Sequence, residues 1–79
     1  MAKQAFKLVF PNMLIKEPIM FIIARDHDLT LNIRRAKITP STGEATIELE
    51  GDAQDIEDAI KEFKSKGVIV EDVLGEEGL

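Results

Sequence analysis

Residues 31–51 read Leu-Asn-Ile-Arg-Arg-Ala-Lys-Ile-Thr-Pro-Ser-Thr-Gly-Glu-Ala-Thr-Ile-Glu-Leu-Glu-Gly. This stretch predicts a strand, a turn at Pro40-Ser41-Thr42-Gly43 and a second strand that ends at Gly51. In the second strand, apolar residues occupy every second position, as in a strand with one buried face, and the other face is acidic. A glycine at the end of a short turn between two such strands is typical of a β-hairpin.

The first strand of this hairpin changes the parity of its apolar positions. They fall first on odd and then on even numbers: Leu29, Leu31, Ile33, Ala36 and Ile38. A slip by one residue would turn every later side chain to the opposite face of the sheet. A β-bulge, in which two residues oppose one on the neighbouring strand, restores the apolar face. We therefore predict a bulge near Arg34-Arg35, where it can re-aim side chains toward a site.

One strand and one helix are predicted before the hairpin. The strand has apolar residues with a period of two, Phe6, Leu8 and Phe10, and ends at Pro11-Asn12. Pro18 suits the first position of a helix, because its missing N–H has no partner there. The helix is short, with Ile19, Ile22 and Ile23 on one face, and it ends at residues 26–28.

A second helix and a last strand are predicted after the hairpin. Asp52 can cap the helix, whose apolar face has the spacing i, i+3, i+4, i+7: Ile56, Ala59, Ile60 and Phe63. Gly67 suits the end of this helix. Residues 68–73 form the last strand, and residues 75–79 are expected to be a frayed tail.

The predicted order is β-α-β-β-α-β. Two βαβ units with right-handed crossovers place four strands in one antiparallel sheet with both helices on one face. The fold class is therefore α+β, a ferredoxin-like sandwich. The 79 residues make one domain, 1–79, with its core at about 4–75.

Composition limits the classes of function. Ten basic and 15 acidic residues give a net charge of −5, which disfavours a nucleic-acid partner. The chain has no cysteine and no apolar run of the roughly 20 residues that a membrane span needs, and its first residues, 1–7, lack the apolar stretch that a signal peptide would show. We expect a cytoplasmic protein that does not insert into a membrane. Because so small a chain buries a limited core, self-association is the expected source of extra stability.

The sequence offers little for catalysis. The single histidine, His27, lies between Asp26 and Asp28 at a helix end, where neighbouring side chains diverge, so we expect a solvated terminus rather than a metal ligand. Glycines are scattered at turns, with no phosphate-binding loop. The sheet face without helices is expected to be acidic, unlike an RNA-binding sheet. We therefore predict no enzyme activity, no metal and no cofactor.

Apolar side chains near the first helix exceed what a small core needs. They are Met13, Leu14, Ile15, Met20 and Phe21. They form an interface or a small-molecule patch, or else Leu14 and Ile15 close the end of the core. We predict Met13, Met20 and Phe21 as interface residues.

Several segments in order resemble a NIL domain. They are Phe-x-x-x-x-x-x-Glu-Pro-Ile before the first helix, Leu-x-Leu-Asn-Ile on the second strand, the hairpin that runs into Gly51, an Asp and Ala59-Ile60 on the second helix, and Gly-Val-x-Val-Glu-x-Val-Leu-Gly at residues 67–75. The resemblance covers residues 4–75.

The resemblance implies a function. NIL domains are known as the C-terminal regulatory domain on the ATP-binding subunit of methionine ABC importers, where they dimerise and bind methionine. Others are joined to four-iron ferredoxin modules and are associated with sulfur amino-acid metabolism. By this resemblance, the chain is a homodimeric regulatory module that senses methionine or a related amino acid. The alternative is a protein-interaction module for a ferredoxin or a sulfur-assimilation enzyme, with no small ligand. The chain is either a free-standing domain or a fragment of a longer protein.

The family motif Asn-Ile-Leu corresponds to Asn32-Ile33-Arg34. The resemblance therefore implies Asn32, Ile33 and Arg34 as ligand-binding residues, with Asn32 first. Arg34 departs from the motif, because a cation replaces an apolar residue. Its guanidinium can receive the carboxylate of an amino acid, or the bulge turns it to solvent.

Overall fold

The computed structural model describes residues 1–11, 19–39 and 41–73. Its elements are β1 (Ala2–Pro11), α1 (Ile19–Asp26), β2 (Thr30–Ile38), β3 (Thr42–Gly51), α2 (Ala53–Ser65) and β4 (Ile69–Asp72). The order confirms the predicted ferredoxin-like α+β fold. The predicted helix start at Pro18, the interface residue Met13 and the frayed tail lie outside the described residues.

The four strands form one antiparallel sheet in the order β2-β3-β1-β4. β1 and β3 pair along their whole length, from Ala2 opposite Gly51 to Pro11 opposite Thr42. β1 begins earlier than the alternation at residues 6–10 indicates. Residues 2–5 do not alternate in this way, but they pair with the end of β3 and so extend the strand. β2 and β4 are the two edges of the sheet.

The core lies on one face of the sheet, between the central strands and the two helices. The buried apolar residues are Phe6, Leu8, Phe10, Ile19, Ile23, Ala24, Leu29, Ala45, Ile47, Leu49, Ile56, Ala59, Phe63 and Val68. The period-2 positions of β1 and β3 and the i, i+3, i+7 positions of α2 are all in this set, so the apolar patterns of these elements predicted their buried faces correctly.

Both helices end in the same backbone motif, in which a residue with positive φ follows the last turn. At the end of α2, Gly67 N–H donates to Lys64 and Val68 N–H donates to Phe63 at 3.0 Å, and Gly67 has φ +92°. At the end of α1, Asp28 has φ 56° and takes the position of that glycine. Gly67 confirms the predicted helix end. Asp28 adopts the same positive φ at the end of α1, although an aspartate is less favourable there than a glycine.

Asp52 caps α2 as predicted. Its side chain has an oxygen, Oδ1, that accepts a hydrogen bond from the Gln54 N–H at 3.0 Å, and its backbone is extended. An N-cap of this kind satisfies one of the donors that a helix start leaves without a partner.

The turn of the β2–β3 hairpin lies one residue earlier than the sequence predicted. Thr39 N–H donates to the Thr42 carbonyl at 2.8 Å, and the Thr39 hydroxyl accepts from the Thr42 N–H at 3.0 Å. Gly43 is therefore a strand residue, paired with Ile38 and Phe10. A threonine hydroxyl that hydrogen-bonds to the backbone of its own turn can stabilise the turn without a glycine.

The face of the sheet that carries neither α1 nor α2 is here called the open face. The expectation that it is acidic is wrong, because the acidic residues of β3 and Glu71 of β4 share this face with basic residues. By register, β1 and β2 place basic residues on the same face: Lys3, Lys7, Arg35 and Lys37. Ion pairs join the strands, with Lys7 Nζ 3.1 Å from Glu44 Oε1 and Lys3 Nζ 3.9 Å from Glu48 Oε1. Opposite charges on neighbouring strands stabilise the sheet modestly.

Candidate functional site: the edge strand β2

The predicted β-bulge is present in β2. Ile33 pairs with Ile47 and Arg35 pairs with Thr46, so Arg34 is the extra residue. The bulge lets Leu31 and Ile33, before it, and Ala36 and Ile38, after it, share the helix-bearing face of the sheet. It also brings both arginines next to Asn32 on the strand.

Asn32 lies on the open face, opposite Glu48 of β3. It is exposed, and its side-chain amide makes no hydrogen bond to any residue that the structure describes. An amide offers two N–H donors and a carbonyl acceptor. The described residues therefore leave the donors and the acceptor of the Asn32 amide unused.

An ion pair holds the Arg34 side chain against the sheet. Its Nη2 donates to Glu48 Oε2 at 2.7 Å, and the Glu48 side chain is only 12% exposed. A short, charge-assisted bond to a largely buried carboxylate fixes the guanidinium better than an exposed surface pair would. Arg34 thus lies beside Asn32 on the open face.

Ile33 lies on the opposite face from Asn32, so the three candidate ligand-binding residues are not all on one side of the sheet. It belongs instead to an apolar row on the helix-bearing face of β2. The exposed fraction is 44% at Ile33 and 69% at Ile38. Large apolar side chains exposed in a row on an edge strand favour an association surface.

The short first helix explains why this row is exposed. The eight residues of α1 span about 12 Å, whereas the nine residues of β2 extend for about 30 Å. Only residues 27–29 connect the two elements, so the end of α1 lies at the start of β2. Leu31 is accordingly half-buried, and the exposure rises toward Ile38. The sequence pattern correctly assigned Ile38 to the apolar face and predicted that α1 is short, but it did not show how much of β2 the helix covers.

The predicted interface residues on α1 differ in their placement. Phe21 is 56% exposed, and Met20 packs, partly buried, against the core cluster. Sequence reasoning did not single out Ile69, which is 55% exposed on the other edge strand, β4.

His27 differs from the solvated terminus that the sequence suggested. Its Nε2 lies 2.7 Å from Glu62 Oε1 of α2, with side-chain exposures of 21% and 32%. The contact joins the two helices across a separation of 35 residues, which local sequence cannot reveal. Among the residues that the structure describes, no cluster of histidine, aspartate or glutamate could hold a metal ion. No described helix is long and apolar enough to cross a membrane.

The fold and the edge strand define a class: a small ferredoxin-like domain with a bulged edge strand, which presents exposed apolar side chains and an amide that has no partner in the described part of the chain. The sequence model of the NIL domain matches residues 4–72, and the chain belongs to the NIL domain family. This confirms the resemblance seen in the sequence.

A solved structure agrees with this assignment. The chain is similar to the C-terminal domain of an ABC transporter ATP-binding protein from Enterococcus faecalis, with a TM-score of 0.79 and 25% sequence identity. The similarity covers 92% of this chain and 86% of that chain. Comparison with curated proteins gave no match.

Proposed function

We propose that this NIL domain is a non-enzymatic regulatory module that forms a homodimer through β2 and binds methionine or a related sulfur amino acid. The observation that carries the proposal is the composition of one edge strand, β2, which has an apolar row, and whose outer backbone edge and Asn32 amide have no partner among the described residues. Membership in the NIL family supports the choice of ligand.

The dimer in this proposal forms by strand addition. No described strand pairs with the outer edge of β2, which leaves backbone N–H and C=O groups available to a second strand. A second copy offers the same edge, so a two-fold axis would bring the two apolar rows together. Burial of Ile33 and Ile38 against their counterparts would remove exposed apolar surface from water.

The ligand in this proposal binds next to the dimer seam. The Asn32 amide can accept from the ammonium group and donate to the carboxylate of an amino acid. Arg34 uses Nη2 for Glu48, and its remaining N–H groups can donate to the same carboxylate. Ile33 lies on the other face of the sheet, so in this proposal it contributes to the apolar seam of the dimer rather than to the contacts of Asn32 and Arg34 with the ligand.

Isothermal titration with methionine, cysteine and homocysteine tests the ligand. We expect saturable heat with at least methionine, and an affinity about tenfold weaker in Asn32→Ala, since a hydrogen bond to a charged group is lost. Gln54→Ala removes an exposed amide from α2 and serves as the matched control, with unchanged binding. If none of the three amino acids gives heat at millimolar concentration, the ligand proposal fails.

A second candidate function rests on Phe21, whose exposure on α1 favours a protein partner. In this alternative, the domain docks a ferredoxin or an enzyme of sulfur assimilation and binds no small ligand. Phe21→Ser would then abolish binding of a four-iron ferredoxin measured by interferometry, with or without methionine. Wild-type protein that binds methionine but no ferredoxin would reject this alternative.

A further inference from the structure

A groove of about 400 Å³ crosses the open face of the sheet. One row of residues in this groove runs over all four strands, in the order Arg35, Thr46, Lys7, Glu71. Lys37 and Glu44 form the next row on β2 and β3. Asn32 does not line the groove, which therefore differs from the site proposed above.

Two cations in this groove lack counter-ions. Arg35 and Lys37 follow the bulge on the same face of β2, and neither has a hydrogen-bond or ion-pair partner among the described residues. Glu44, the nearest acid by register, is bound to Lys7 at 3.1 Å instead. The β2 side of the groove thus carries two positive charges that form no ion pair with any described residue.

The floor of the groove contains a polar side chain, Thr46, whose hydroxyl has no partner among the described residues. Thr46 is more than nine-tenths buried, at 8% exposure, and its hydroxyl makes no hydrogen bond to a described residue. By register, Thr46 lies between Arg35 and Lys7 and lines the groove. Among the described residues no side-chain oxygen or nitrogen is both buried and without a partner, so the Thr46 hydroxyl is accessible from the groove and can donate to a ligand there.

We propose that this groove binds a small dicarboxylate, held by Arg35 and Lys37 with the Thr46 hydroxyl as a third donor. The fork of a guanidinium matches a carboxylate, and Lys37 offers a second charge two residues along the strand, roughly 7 Å away at Cα. Glu71 on the far side disfavours long polyanions, so the ligand is compact. The inference stands apart from methionine binding and goes beyond it.

A titration with succinate, followed by proton–nitrogen NMR at constant ionic strength, tests the groove. We expect saturable shifts of the amides of Arg35, Lys37 and Thr46. Arg35→Ala should weaken succinate binding about tenfold or more, and Thr46→Val, which keeps the shape and removes the hydroxyl, should weaken it severalfold. Lys61→Ala removes an exposed lysine of α2 and should leave the affinity unchanged.

Three results would overturn the proposal. One is a succinate response that does not saturate or that sodium chloride reproduces. Another is saturable binding of sulfate without binding of succinate, which would assign the groove to inorganic oxyanions. The third is unchanged succinate affinity in Arg35→Ala, with the dispersed spectrum of a folded domain as the check. These three results do not depend on methionine binding. They can be interpreted in the same way whether or not Asn32→Ala loses methionine binding.

Discussion

The two βαβ halves of the domain have the same order of elements but differ in helix length and in how much of each half is buried. In the second half, α2 has 13 residues and places Ile56, Ala59 and Phe63 in the core at 1% exposure or less. In the first half, α1 has eight residues, and most of the β2 strand is exposed.

The same contrast appears at the ends of the two helices. α2 ends with a glycine at positive φ, and α1 ends with an aspartate there. The helix of the second half is therefore the better stabilised of the two, whereas the first half has a bulged edge strand with exposed apolar side chains along it. We interpret the first half, with its exposed strand β2, as the part of this small domain that binds a partner or a ligand.

The largest difference between the halves should appear in core truncations. Phe63→Ala removes a fully buried ring from the α2 half and should lower the free energy of unfolding by about 3–5 kcal/mol. Ile38→Ala, on the exposed end of β2, should change it by less than about 0.5 kcal/mol. Urea denaturation at one low protein concentration measures both. Similar losses at the two positions would contradict the division between the halves.

The helix ends should give smaller effects of opposite sign. Gly67→Ala forces a side chain into a left-handed conformation and should cost about 1 kcal/mol, with no steric clash because nothing lies within 4 Å of the added methyl. Asp28→Gly relieves the same strain at the end of α1 and should stabilise the domain by up to about 1 kcal/mol. Thermal unfolding of both variants measures the difference. A loss of stability in Asp28→Gly would mean that the aspartate makes up for its conformation elsewhere.

Local patterns predicted the elements and one unusual feature, the bulge. The parity change between Ile33 and Ala36 was sufficient, because only a bulge keeps both sets of apolar residues on one face. The position of Gly67 likewise predicted the end of α2. The turn was displaced by one residue, because the hydroxyl of Thr39 replaces the role assigned to Gly43.

The surroundings of the site could not be predicted, because they depend on register and helix length. Glu48 is 14 residues from Arg34, and their bond follows from how β2 and β3 align after the bulge. The charge of the open face likewise required the pairing of β3 with both neighbours. The exposure of Ile38 depends on where α1 ends relative to β2.

Association of the chain through the edge strand β2 can be tested by sedimentation equilibrium. We predict a mass twice the 8.8 kDa of the chain for the wild type and for Ile69→Lys, which places a charge on the other edge strand. Ile38→Lys should sediment as the 8.8 kDa monomer with an unchanged circular dichroism spectrum. A wild type that is monomeric at every concentration, or an Ile38→Lys variant that remains a dimer, would contradict the account.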